Sequence, residues 1–427
     1  MRRDFLKLCG LAGLGFACPG GLTSMLRAAP KEEPPYEGPF YVVFNASGGW
    51  DTTYLMDPKG TGGINRLYKD GDILTKGAHK FAPTGPHRQG GMSNEEYFAD
   101  FGGELLVLNG LDYSVNNHAP GARYMATGKL DSLAYPTFAA LVAACKGPAC
   151  PLSFLTFGNY SATGNIIAMS RVPYLPSLQR IANADSVEGN VRSPYHDEFT
   201  LNRIEQALAE QRAARTPQPL LPRQERAESM LYAAQVNSKA MQRITPHIPK
   251  DIPKERLSQQ AEIALASFKA GVCVSANLSI GQFDSHANND ADQMKLIPEF
   301  LAGIAYFIRR AEELKIRDKL VVIIQSEMGR TPDYNKGNGK DHWSVGSIMF
   351  LGPRIRGNRV VGATDEKQFG LPITPDTLAC DKEKGIKVRP EHIHESLREF
   401  AGIANHPLSK KFPLGVTEKE KLRGLWG

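Results

Sequence analysis

The 427-residue chain lacks several things, and each lack removes a class of function. Past its first 29 residues it has no apolar run of the roughly 20 residues that a membrane-crossing helix needs. No lysine- or arginine-dense stripe occurs, and the formal net charge is only +6. Arg2, Arg3, Lys7 and Arg27 against Asp4 put +3 of that in the first 29 residues. Nucleic acid is therefore not an expected partner. No internal repeat or low-complexity tract is present. Cysteine is scarce, with six in all, and Cys9 and Cys18 fall in the leading segment. In Cys145-Lys-Gly-Pro-Ala-Cys150 the Gly-Pro favours a turn, and the spacing suits a small local disulfide in an oxidising compartment. Cys273 and Cys380 add no second pair with metal-ligand spacing, so cysteine-bound zinc is the weaker reading.

What is present starts with Met1-Arg2-Arg3-Asp4-Phe5-Leu6-Lys7 and the short, Gly-rich apolar run Leu8 to Phe16. Paired arginines before a weakly apolar stretch have the form of a twin-arginine export signal. Residues 1–29 are assigned to it, with the twin-arginine translocase as partner and the periplasm or exterior as destination. That route carries proteins already folded, often around a cofactor. Ala28-Ala29 offers a cleavage site, although Pro30 disfavours it. Gly15-Phe16-Ala17-Cys18 is a poor lipoprotein box, and an uncleaved anchor is the remaining option.

About 400 residues remain, enough for one large domain with insertions or for two domains. Pro39 to Ser47 and Glu104 to Leu111 read as buried strands, as do Leu152 to Phe157, Val272 to Ile280, Leu320 to Ile324 and Val345 to Leu351. Helices are expected from His118 to Thr127, Pro136 to Ala144, Asp292 to Glu313 and Pro390 to Phe400. Residues of about 175–270 are polar and carry helical patterns, Glu198 to Ala213 and Arg223 to Gln242, around Thr216-Pro-Gln-Pro-Leu-Leu-Pro222. The expectation is an α/β domain over 38–405, a mainly parallel sheet with helices on both faces. The 175–270 block is a helical insertion on it, and 406–427 is a C-terminal tail.

Ligands of such sheets bind beyond the carboxyl ends of the strands. Gly48-Gly49-Trp50-Asp51, Asn117-His118, Gln282-Phe283-Asp284-Ser285-His286 and Gln325-Ser326-Glu327-Met328-Gly329-Arg330 all follow predicted strands. Lys340-Asp341-His342 precedes another. Imidazoles and carboxylates gathered at one edge suit a divalent metal. Singly, each has a plainer reading: Asp51 as a turn or cap residue, Asp284 and His286 as a loop pair, His342 as a structural histidine. Cys273 and Met328 read as packing residues.

The series Phe44-x3-Gly48-Gly49-x-Asp51, His118-Ala119-x3-Arg123-x3-Thr127-Gly128, Asp284-Ser285-His286-x-Asn288 with Gln293, Ser326-Glu327-Met328-Gly329-Arg330-Thr331-Pro332 and Asp341-His342-Trp343 resembles the DUF1501 proteins. These are bacterial, usually carry a twin-arginine signal, and belong to the alkaline-phosphatase-like superfamily. The resemblance spans about 38–405. It implies an alkaline-phosphatase-like fold with two metals, usually zinc or manganese. In that superfamily a Ser or Thr at a helix N-terminus attacks a phosphate or sulfate ester. By the same resemblance Asp51, Glu327, His342, His286 and either Asp284 or Gln282 are the metal ligands.

Two departures stand out. His118 occupies the place of the serine nucleophile, and Glu327-Met328 replaces the usual Asp-His, removing one imidazole that His118 is placed to restore. A histidine can bind metal, act as a base or form a phosphohistidine. The resulting expectation is an exported hydrolase of anionic sulfate or phosphate esters, dependent on a divalent ion (Zn, Mn or Ca). His118 and Arg330 are its catalytic residues, with Arg330 neutralising the anion. The alternative is a catalytically inactive binding or assembly module of the cell envelope.

Overall fold

The computed structural model describes residues 34–60, 63–183, 185–186, 194–213 and 237–427. The predicted export signal and most of the predicted helix 223–242 lie outside these residues. Eight strands form one sheet: β1 (Phe40–Ala46), β2 (Leu106–Asp112), β3 (Phe154–Thr156), β4 (Met169–Ser170), β5 (Ser275–Ile280), β6 (Leu320–Gln325), β7 (Val345–Leu351) and β8 (Arg359–Val361). Their order is β8-β2-β7-β6-β1-β5-β3-β4. All pairings are parallel except those of β7, which runs antiparallel to β2 and β6.

Side chains of successive strand residues point to opposite faces. Phe40, Val42, Phe44 and Ala46 of β1 enter one hydrophobic cluster, and Tyr41 and Val43 enter the other. Leu320, Val322 and Ile324 of β6 join the first cluster, and Val321 and Ile323 the second. Buried on both faces, these strands need helices on both sides. The first face is covered by α1 (Asn94–Phe101), α4 (Leu175–Ala182), α6 (Arg256–Lys269) and α7 (Asn289–Glu313). The second is covered by α2 (His118–Thr127), α3 (Phe138–Lys146) and α8 (Pro390–Phe400). The remaining named helix α5 (Glu198–Ala213) matches its expected span. The Asn117 side chain caps α2 by accepting from the Ala119 N–H, and Gly128, at φ +70°, closes it. Among the described residues no helix is long and apolar enough to cross a membrane.

The mainly parallel α/β architecture is as expected, and three details add to the expected picture. The predicted insertion runs too far: α6 is almost wholly buried and packs on α7 and β5, so it belongs to the main helical layer. Residues 406–427, expected as a C-terminal tail, pack on the domain. Leu408, Leu414, Leu422 and Leu425 are buried, and Trp426 packs edge-on against Phe350 and donates its Nε1–H to the Ser396 carbonyl. A buried leucine stabilises by about 1.5–3 kcal/mol. No disulfide joins Cys145 to Cys150. Cys145 Sγ is drawn to His406 Nδ1 at 3.3 Å, and Cys150 Sγ turns toward the Gly271 carbonyl. Cys273 and Met328 are buried, as packing residues should be.

Candidate metal centre

The carboxyl ends of β1, β2, β5 and β6 share one edge, and Val345 at the start of antiparallel β7 lies opposite Asp112 at the end of β2. The loops from all five strands therefore converge. Gly48 and Gly49 leave β1 at φ +120° and +90°. A Cβ on Gly48 would lie 2.5 Å from the Asp284 nitrogen, and one on Gly49 2.7 Å from Met328 Cγ. Only glycine meets both demands, left-handed backbone and close approach. The Gly48 N–H donates to Glu327 Oε1 at 2.7 Å, tying the loop after β1 to the one after β6.

Three histidines face one carboxylate. His118, the first residue of α2, places Nε2 3.2 Å from Asp284 Oδ2 without a hydrogen bond between them. His286 Nε2 lies 3.1 Å and His342 Nε2 3.2 Å from Asp284 Oδ1, and these two nitrogens are 3.0 Å apart. Each ring's other nitrogen meets a different acceptor. His118 Nδ1 faces Glu327 Oε1 at 3.2 Å, His286 Nδ1 faces Asp341 Oδ1 at 3.0 Å, and His342 Nδ1 faces the Asn116 carbonyl at 2.9 Å. A carbonyl or carboxylate oxygen can only accept, so each Nδ1 donates, and each neutral ring keeps its Nε2 lone pair for the cluster. Lone pairs and a carboxylate at 3 Å repel unless a cation or proton lies among them. Ligand atoms of His118, Asp284 and His342 all lie within 4.8 Å of one another, as a shared ion requires.

Burial pushes the Asp284 carboxyl up, but the hydrogen bond and charge of Arg330, with His118 and His286, outweigh it and hold it at about 2. The hydrogen bond that His118 donates to Glu327 raises its imidazole above the ordinary value against the effect of burial, and Asp284 adds to the rise. Asp341 is lowered by its hydrogen bond to His286. Asp284 and His286 are 42% and 47% exposed, so the cluster opens to solvent.

The expected residues divide into inner and outer positions. His118, Asp284, His286 and His342 meet, and it is Asp284 rather than Gln282 that touches the imidazoles. Glu327 stands behind them: it is buried and accepts from Gly48 and His118. Arg330, expected to neutralise an anion, is buried. It is 1% exposed, and it donates to the carbonyls of Gly48, Gly49 and Lys340 and to Asp284 Oδ1. Asp51 follows its plainer reading and caps the short turn Thr52–Tyr54. Its carboxylate is fully buried, accepts from Thr53 and Asn289, and lies 2.7 Å from the Lys340 ammonium. Sequence reasoning gave no role to Lys340 or Asn289; the only signal for Lys340 was its place beside Asp341-His342.

The sequence profile of a family described as "Protein of unknown function (DUF1501)" matches residues 41–379. No curated protein matches the sequence. Among solved structures, the PsFucS1 sulfatase from Pseudoalteromonas sp. is similar at 11% identity and TM-score 0.39, over 97% of this chain and 74% of that one. A TAB5 alkaline phosphatase mutant is similar at 9% identity and TM-score 0.35, over 86% and 99%. A protein in the alkaline phosphatase superfamily from Vibrio parahaemolyticus is similar at 10% identity and TM-score 0.35, over 99% and 80%. Similarity at this level carries no conclusion about chemistry.

Proposed function

The chain belongs to the DUF1501 family, and from that premise we propose that it is an exported hydrolase of phosphate or sulfate esters whose site holds a divalent cation. The observation that supports this reading is the convergence of three imidazole Nε2 atoms on Asp284, each ring backed by an acceptor at Nδ1. Imidazole ligands held in orientation by outer carboxylates or carbonyls are the usual surroundings of a transition metal. Three nitrogens and one carboxylate suit zinc or manganese and not calcium, which takes oxygen ligands.

A divalent ion here supplies Lewis acidity toward an ester oxygen. The chain supplies the rest. Glu327 and Asp341 orient His118 and His286, and Arg330 keeps Asp284 ionised. The N-terminal amides of α2 favour an anion beside His118. Neighbouring hydroxyls are engaged elsewhere. Ser285 Oγ donates to Asn289 and accepts from Gln293, and Ser326 Oγ donates to the Ala46 carbonyl; both are 1% exposed. This supports attack by water over a serine ester intermediate, and it supports His118 as a ligand in place of the serine.

The test is hydrolysis of aryl phosphates and aryl sulfates by protein from an exporting host, chelated and reloaded with Zn²⁺ or Mn²⁺. Metal-dependent release of the phenol is expected. Full metal occupancy without turnover of either class would favour the binding-module alternative.

A further inference from the structure

Asp51 is one of the residues that the superfamily resemblance makes metal ligands, and its surroundings do not fit that role. Oδ1 accepts from the Thr53 N–H at 3.1 Å and the Thr53 hydroxyl at 2.7 Å. Oδ2 accepts from Asn289 Nδ2 at 3.0 Å and lies 2.7 Å from Lys340 Nζ. Of the about four lone-pair sites that a carboxylate offers, donors from the chain take up most, and the Lys340 charge faces this carboxylate as well. Both side chains of the ion pair are 0% exposed. A buried charge needs a partner charge, and each supplies the other's.

Lys340 is also anchored through its main chain. Its backbone N–H donates to the Ser285 carbonyl, and its own carbonyl accepts from Arg330. Nζ sits 5.0 Å from the Tyr334 ring centre and 5.9 Å from that of Tyr54, a distance at which an aromatic face attracts a cation. The hydroxyls of both tyrosines donate to Asp290 Oδ1, which fixes the rings. Gln293 links this pocket to the loop after β5: its Oε1 accepts from the Asp51 N–H, and its Nε2 donates to the Phe283 carbonyl.

We infer that Lys340 is a built-in cation in the place of a second metal, so that the centre holds one ion, on His118, Asp284, His286 and His342. This rests on the metal-site reading above and narrows it. Two-metal hydrolases place their ions about 3.5–4 Å apart and share carboxylates between them; here the carboxylate that would serve the second ion is neutralised by a lysine of the chain itself.

The experiment is metal counting by plasma mass spectrometry on the full-length chain, chelated and reloaded with excess Zn²⁺ or Mn²⁺ and desalted. It compares the natural protein, Asp51→Asn and the double variant Asp51→Asn/Lys340→Met. The double variant removes both charges together, so no lone buried charge is left to unfold it. One equivalent per chain in all three is expected. Two equivalents in the natural protein, falling to one on loss of Asp51, would overturn the inference and leave the His–Asp site intact. No bound metal in the natural protein would overturn both.

Discussion

His342 Nε2 lies 3.2 Å from Asp284 Oδ1, and its Nδ1 lies 2.9 Å from the Asn116 carbonyl. The second contact decides the first. The Nδ1 proton goes to the carbonyl, so a neutral His342 turns a lone pair toward a carboxylate oxygen. His286 repeats the arrangement with Asp341, and His118 with Glu327. A cation answers all three at once, and the predictions follow from that.

His118→Ala removes an inner position and Glu327→Gln an outer one. Each is expected to weaken zinc affinity, the outer change by about 10–100-fold and the inner change by more. Competition with a chromophoric chelator measures both. Equal, unchanged affinities would reduce His118 to a helix-start residue.

Gly48→Ala must strain a φ of +120° and drive a Cβ into the Asp284 backbone. The expected cost is at least about 1–3 kcal/mol, with loss of metal affinity because Asp284 is displaced. Gly103→Ala, with nothing within 4 Å of its Cβ, should stay within about 0.5 kcal/mol. Urea unfolding of both variants checks the contrast.

His394 gives the fold an acid sensitivity apart from the site. Burial pushes it down to about 4, against the donation of its Nε2–H to the Met125 carbonyl. Between about 6.5 and 4 the unfolded chain therefore binds more protons than the folded one. Stability present above pH 6.5 should fall progressively as pH drops through that window, by about 3 kcal/mol in all. His394→Gln should flatten this part of the profile. An unchanged slope in denaturant midpoints across pH 4–6.5 would count against it.

Arg2 and Arg3 carry the export proposal. Replacing both by lysine is expected to hold precursor in the cytoplasm, as read by fractionation and immunoblot. Normal export of that variant would refute the twin-arginine assignment.

β1 and β6 at the sheet centre were legible because each is a nearly continuous apolar run, and α2, α7 and α8 were legible from their periodicity and end signals. β8 was not. Arg359-Val360-Val361 is too short to show a period, and only its pairing with β2 makes it a strand. The hairpin of Leu74–Lys76 with His79–Phe81 escaped for the same reason. At the site, His118, Asp284 and His286 were candidates because they follow strands, and His342 because it precedes one. The strand-end rule could not rank Asp51 against Asp284, because both are carboxylates after apolar strands. What separates them is which cation reaches each: Lys340 reaches the buried Asp51, and Arg330 reaches Asp284 at the open edge. Those approaches join loops far apart in sequence. Burial of the Arg330 guanidinium under the Gly48-Gly49 loop was not legible, because it leaves no local mark in the sequence.

The central claim is that His118, Asp284, His286 and His342 hold one divalent ion. Anomalous diffraction at the zinc edge, from crystals of zinc-reloaded protein, tests it most directly. The account predicts one strong peak per chain at about 2.0–2.2 Å from imidazole nitrogens and the Asp284 carboxylate. A peak seated on Asp51, or no peak among the three histidines at full zinc loading, would contradict it.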